Sequence, residues 1–275
     1  VFVKGGFVGL PVGLAAALLR IPIVTHDSDS IPGLTNRLLS RFAKLHAVGL
    51  SERLYSKYYP KEKIRFTGVP IERKYWNVQD NGAIKKEFKI NKNNTVVTVI
   101  GGSLGAVRMN NAIIKIVHDL TNKNNIHIVW VTGRGQHREI DNKISITDKK
   151  INNLSIFSFS SELHKLIAIA DLVVSRAGAS SIAELAALSK PTIIVPNPNL
   201  AGGHQLINAY ALKDESAAVV LEEERLMDNP YTLYDLIIKI LDDNKLSQKL
   251  SVNIHKLSKK DASNAIAKVI IEATN

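Results

Sequence analysis

The sequence predicts an α/β protein of two Rossmann-like, doubly wound parallel-sheet domains, the first of them incomplete. Three observations carry that prediction. Short β-branched runs alternate with helical stretches from the first residues onward. The alternation breaks in a polar, turn-rich segment after Gly68 and restarts at Thr95. Turns built from glycine and other small residues then follow three strands of the second half. Strands that alternate with helices lie parallel, because each helix returns the chain to the same edge of the sheet.

Val1 to Val3 reads as the end of a strand, and IPIVTHD (21–27), HAVGL (46–50) and IRFTG (64–68) read as further strands. Helical segments are expected at 10–20, 34–44 and 51–59. In the second half TVVTVI, IHIVWVT, LSIFSF, DLVVS, PTIIVP and AAVVL are strands separated by helices, the first helix spanning Arg108 to Leu120. A hinge near Gly68 to Tyr75 divides the chain into a first unit over 1–73 and a second over 74–257. A closing segment over 258–275 carries an amphipathic helix from Ser258 to Ala273. The first unit has few strands and the chain opens on VFVKGG without methionine, so an N-terminal truncation is expected.

Composition narrows the class. A chain of 275 residues, 45% hydrophobic and 22% charged, can bury two ordinary cores. Without cysteine it has neither a disulfide framework nor a thiolate metal site. The longest apolar stretch, Phe7 to Leu19, is too short to span a bilayer and is broken by Gly9, Pro11 and Gly13. Of the formal charge of +11, most resides in residues 1–75, where twelve Lys or Arg face five Asp or Glu. Such a surface suits an anionic membrane face. No aromatic-interleaved or zinc-finger pattern accompanies it, so no nucleic acid partner is expected.

DLVVSRAGASSIAELAA (171–187) runs a strand through small residues into a helix carrying Glu184. Helix N-termini point unsatisfied N–H donors outward and attract anions, phosphates above all. An unbulky junction lets a ligand approach them, although Ser180 or Ser181 could equally serve as N-cap. GGSLGA (101–106) makes a second turn of this kind, lacking the GK[ST] ending of a Walker loop. The same six residues match GxSxG, which would make Ser103 a hydrolase nucleophile followed by Asp171 and His204. NLAGGHQLINAYAL (199–212) sets His204, Gln205 and Asn208 early in a third helix after a glycine turn. HDSDS (26–30) contains a DxD pair, which reads either as a cation site at Asp27 and Asp29 or as a loop before a helix start at Pro32.

Assembled, these stretches resemble the MurG family, the N-acetylglucosaminyltransferases that complete lipid II in bacterial peptidoglycan synthesis. The resemblance runs through GGFVGLPVGLAAALLRIPIVTHDSDSIPGLTNRLL, GVPIER, GGSLGA, SRAGASSIAEL and HQLINA, over nearly the whole chain. It implies a GT-B fold, with a C-terminal helix crossing back to the first domain. The implied reaction is an inverting transfer of N-acetylglucosamine from UDP-GlcNAc to the 4-hydroxyl of the muramyl sugar of lipid I. The implied place of work is the anionic cytoplasmic membrane surface, as a peripheral protein, and neither cofactor nor metal is implied.

Carried over position by position, Gly102, Ser103, Gly105 and Arg73 would meet the diphosphate, and Ser160 would offer backbone groups to uracil. Ala179, Ser180, Ser181, Ile182 and Ala183 would lie along the nucleotide, and Glu184 would accept from the ribose hydroxyls. Gln205, with His204 and Asn208, would hold the donor sugar, and Asp29 would lie at the domain interface. Val69 and Glu72 depart from the family's form of GVPIER, as Asp29 does from its HEQN. The proposed base would precede Val1, leaving His26 as the nearby histidine, so the chain alone is expected to be inactive. A UDP-GlcNAc 2-epimerase of the same architecture is the runner-up, and the Ser103 hydrolase is the other.

Overall fold

The computed structural model describes residues 1–78, 81–102, 106–123, 125–147, 151–199 and 201–274. Its first sheet holds β1 (Phe2–Val3), β2 (Val24–Asp27), β3 (Leu45–Val48) and β4 (Ile64–Phe66) in that spatial order, all parallel. Helices α1 (Gly6–Leu18) and α2 (Leu34–Leu39) cover one face, where Val3, Ala16, Ile23 and Leu39 pack together. The chain continues through α3 (Asn81–Glu87) into β5 (Thr95–Ile100), α4 (Val107–Asn122), β6 (Ile126–Val131), α5 (His137–Thr147) and β7 (Leu154–Phe157). It then forms α6 (Leu163–Ala168), β8 (Leu172–Ser175), α7 (Ala179–Ala187), β9 (Thr192–Ile194), α8 (His204–Asp214) and β10 (Val219–Val220). Three helices follow, α9 (Glu223–Asp228), α10 (Tyr231–Asp242) and α11 (Asn244–His255), before α12 (Ala262–Thr274).

Every residue of β6 is buried, as expected of a strand covered on both faces. On one face Val97, Val99, Ile128 and Trp130 meet Met109, Ile113 and Ile116 of α4 and Leu233 and Ile237 of α10. On the other, Val96 and Val129 meet Leu166 of α6, and Val173 meets Ile182 of α7. The buried Trp130 indole donates to Asn110 Oδ1 at 3.0 Å, so its polar atom is satisfied. Helix α12 closes the circuit by burying Ile266, Val269 and Ala273 against Val24, Leu45 and Ala47 on the open face of the first sheet.

Several element bounds differ from the sequence reading. Helix α1 starts at Gly6 rather than at residue 10, and holds Pro11 inside it. The hydrogen bond that Pro11 cannot make would end on the carbonyl of Phe7, a fully exposed residue, where water can substitute. Residues 51–59 contain only a 3₁₀ turn over Glu52–Leu54. Tertiary bonds decide this: Tyr55 donates to Asp29 O at 2.8 Å and Tyr59 to Asp27 Oδ2 at 2.7 Å, while Pro60 disfavours helix at Tyr59.

Close approach explains Gly49, which follows β3. A Cβ there would lie 2.6 Å from the backbone oxygen of Ser28 and 2.7 Å from Val69 Cγ2. Gly49→Ala is expected to cost about 1–3 kcal/mol of stability, read as a lower urea midpoint at unchanged slope.

Candidate active site

The second sheet runs β10-β9-β8-β5-β6-β7, all parallel. Its order reverses between the neighbours β5 and β8. Loops leaving these two strands at their C-terminal ends turn to opposite faces and open a crevice, which is where open α/β sheets bind ligands. Two of the three glycine turns singled out in the sequence leave the sheet at this point, and the third follows the neighbouring β9.

After β5, Gly102 takes a φ of +80°, a left-handed conformation that favours glycine, with open space where a Cβ would stand. Ser103 and Gly105 lie outside the described residues. Helix α4 begins one residue after Ala106 with no side-chain cap. After β8, α7 has Gly178 as its N-cap, again with no side chain bonded to the helix start. Neither Ser180 nor Ser181 is therefore the cap, and among the described residues no side chain takes the first N–H groups of either helix, which suits an anion there.

Along α7 the positions expected to meet nucleotide are unlike one another. Ile182 is 1% exposed in the core, and its N–H is bonded to Gly178 O, so it has nothing to offer a ligand. Ala179 and Ala183 line the seam between the units with Val69 and Ile71. Ser180, Ser181 and Glu184 carry the polar side chains of this turn, Ser180 the exposed one. Burial pushes the Glu184 carboxyl up to about 7, against a hydrogen bond from the Tyr75 phenol that favours its charged form. Tyr75, buried in the interdomain linker and edge-on to His164, was not singled out in the sequence. Nothing local marks a linker tyrosine as the neighbour of a helix carboxylate.

Arg176 also escaped the sequence reading. Its guanidinium is buried, donates to Val195 O at 3.0 Å and pairs with Glu223 at the start of α9. The second oxygen of Glu223 accepts from Arg108 in the first turn of α4 at 2.9 Å. One buried carboxylate thus ties together the starts of the two helices that flank the crevice.

The remaining positions divide. Ser160 lies beyond the end of β7 on the same rim, and its hydroxyl accepts from Glu162 N at 3.1 Å. No described hydrogen bond takes its own backbone N–H or C=O. Gln205 Oε1 accepts from Asn197 N at 2.9 Å, and His204 has a buried Nδ1 without a partner among the described residues. Asn208 is fully buried and bonds to Ser30, Asp29 and Ala177. The Arg73 side chain is exposed, with no described hydrogen bond or ion pair. His26 is 1% exposed, and its Nε2–H donates to Gly68 O at 3.2 Å. Burial lowers its pKa and disfavours the charged ring, and at 1% exposure neither nitrogen is open to a substrate in this conformation.

Two alternatives fail on geometry. Asp171 sits before β8, where its Oδ2 accepts from Val96 N at the opposite rim of the sheet from Gly102. It cannot complete a triad with the GGSLGA turn, which removes the hydrolase reading. The Asp27 carboxylate is taken by Tyr59, Asn36 and Gly33, and the Asp29 carboxylate by Asn208. HDSDS is a hydrogen-bonded loop, not a paired cation site, and α2 starts at Leu34 rather than Pro32.

Comparison with known proteins identifies the family. Residues 96–268 match the glycosyltransferase family 28 C-terminal domain, and residues 1–48 match the family's N-terminal domain. A relative from Natranaerobius thermophilus is 34% identical over 270 residues, covering 97% of this chain and 72% of its own length. It is named UDP-N-acetylglucosamine--N-acetylmuramyl-(pentapeptide) pyrophosphoryl-undecaprenol N-acetylglucosamine transferase. The crystal structure of Acinetobacter baumannii MurG superimposes with a TM-score of 0.78 at 25% identity, over 99% of this chain and 73% of that one. The S. aureus MnaA-UDP co-structure, at 16% identity and a TM-score of 0.72 over 98% and 74% of the two chains, shares the fold. With the GT-B architecture, the switch-point crevice and both domain signatures in place, the chain belongs to glycosyltransferase family 28, among the MurG N-acetylglucosaminyltransferases.

Proposed function

We propose that the enzyme transfers N-acetylglucosamine from UDP-GlcNAc to lipid I, forming lipid II, and that residues 1–275 alone bind the donor without completing the transfer. The observation that carries the reading is the pair of uncapped helix starts, α4 and α7, on either side of the β5/β8 switch point, with Glu184 one turn further along α7. The diphosphate binds the N–H groups there, the Glu184 carboxylate accepts from the ribose hydroxyls, and Ser160 presents its backbone to uracil. Gln205 and His204 lie beside the donor sugar. In the transfer the muramyl 4-hydroxyl gives its proton to a general base as its oxygen attacks the anomeric carbon, the bond to the diphosphate breaks to release UDP, and the configuration inverts. Charge developing on the departing UDP is met by preorganised helix N-termini, without assistance from a metal. We place the acceptor side in residues 1–73, the donor side in 74–257 and the returning helix in 258–275.

Calorimetric titration with UDP and UDP-GlcNAc, with and without EDTA, tests the donor site. Saturable, EDTA-insensitive binding is expected, and incubation with UDP-GlcNAc alone should leave it unepimerised. Absence of binding, or acceptor-free epimerisation, overturns the reading. In lipid II formed by the enzyme, NMR should place the new bond at O4 with the β configuration.

The first unit also faces a membrane in this reading. Phe7, Leu18, Leu19 and Leu34 are 100%, 86%, 72% and 70% exposed on α1, its C-terminal end and α2. Arg20, Arg37 and Arg41 are exposed among them. Apolar side chains beside cations suit insertion at an anionic lipid surface, and no described helix is long and apolar enough to cross a membrane. Phe7→Asp combined with Leu18→Asp is expected to cut cosedimentation with phosphatidylglycerol vesicles at least about tenfold, since each change forfeits the burial of a large apolar side chain.

A further inference from the structure

We propose that Asn208 is a positioning residue that holds the acceptor-side loop 27–33 in register with the donor-side turn after β8, rather than a ligand of the donor sugar. The proposal rests on the reading of the crevice given above. Asn208 is fully buried near the start of α8. Its Oδ1 accepts from Ser30 N at 2.9 Å and from Ser30 Oγ at 2.7 Å. Its Nδ2 donates to Asp29 Oδ1 at 2.8 Å and to Ala177 O at 2.9 Å. A backbone N–H only donates, and a carbonyl or carboxylate only accepts, so the partners fix which way the amide points. A carboxamide has two acceptor positions and two N–H donors. All four are used, and none remains for a sugar hydroxyl.

Both ends of this link are braced. In the first unit Asp27 accepts from Gly33 N, Asn36 and Tyr59, and the Tyr55 hydroxyl holds Asp29 O, so loop 27–33 moves with its sheet. In the second unit Ala177 follows the clamped Arg176 and is itself buried. Ser30, 2% exposed, has no solvent to replace the bonds it would lose. An ion pair also spans the two units, Arg53 with Glu215, but it is about half exposed on both sides and contributes little. The buried amide is therefore the polar contact that specifies how the two rims face each other, and buried polar groups can serve such a register role.

The chain has no cysteine, so Lys57→Cys and Lys249→Cys, at exposed positions in the two units, can carry spin labels for distance measurement. Asn208→Ala is expected to at least double the width of the distance distribution while leaving UDP affinity within threefold. Asn208→Asp sets two carboxylates against each other and should broaden it further. Adding Asp29→Asn to Asn208→Asp restores an N–H donor across the seam and should narrow it again, a rescue that a packing role would not give. If Asn208→Ala does not fold, Ser30→Ala carries the same comparison. Unchanged widths, or a tenfold loss of UDP-GlcNAc affinity with UDP affinity unchanged, would overturn the proposal. Absence of UDP binding by the unsubstituted chain would instead refute the function and leave the width comparison intact.

Discussion

Glu184→Gln is expected to weaken UDP binding by about 5- to 150-fold, the loss of a charge-assisted acceptor worth about 1–3 kcal/mol. The carboxylate lies on α7 within one turn of Ser180, at the start of an uncapped helix, where ribose hydroxyls would follow a diphosphate seated on the N–H groups. Burial pushes its carboxyl up from 4.5 to about 7, so near neutral pH the free protein is a mixture of protonated and ionised forms. Binding that requires the ionised form should strengthen by about tenfold between pH 6 and pH 8. The nucleotide's terminal phosphate titrates in the same range, so the diagnostic is the difference from Glu184→Gln, which lacks this titration. Stability moves the other way. The folded state keeps its proton to a higher pH than the unfolded chain, so the contribution is full below about 4.5 and is lost as pH rises through about 7. Calorimetry across pH and thermal unfolding of both proteins measure the two slopes. Equal UDP affinity for the two proteins at pH 8 would remove Glu184 from the site.

Glu223→Ala should destabilise the fold by about 3–5 kcal/mol, because it leaves the buried Arg176 cation without a counter-charge. Glu223 has a side chain only 2% exposed and Arg176 one 11% exposed, so water cannot take over the pairing. Arg108, bonded to the other carboxylate oxygen, is 42% exposed, and its removal should cost no more than about 1 kcal/mol. Arg176→Met with Glu223→Leu removes both charges and should recover most of the loss, as apolar replacement of a buried pair often does. Urea unfolding of the three variants and the parent reads these values. A Glu223→Ala protein within 1 kcal/mol of the parent would show, at roughly the worth of a surface pair, that the clamp is not what holds the crevice loops.

The sequence alone determined the order of the strands and of most helices, though not α3 in the polar linker, because hydrophobic period and turn chemistry are properties of neighbouring residues. Thr95–Ile100 and Leu172–Ser175 were legible as β-branched runs, and both glycine turns were legible as helix starts open to an anion. Family membership followed from several such stretches in one order. Partnership was a different matter. Residues 51–59 carry a local helical pattern, yet the Tyr55 and Tyr59 hydroxyls bond to Asp29 O and Asp27 and draw the segment into a turn. Asn208 looked like one more polar residue beside the donor, and its partner Ser30 stands 178 positions away. Arg176 looked like part of a small-residue junction until Glu223, 47 positions on, closed over it. His26 kept a histidine's chemistry in sequence and lost its access on burial. A hydrogen bond or a desolvated charge depends on which atoms meet and what water they exclude, and only the packed chain specifies that.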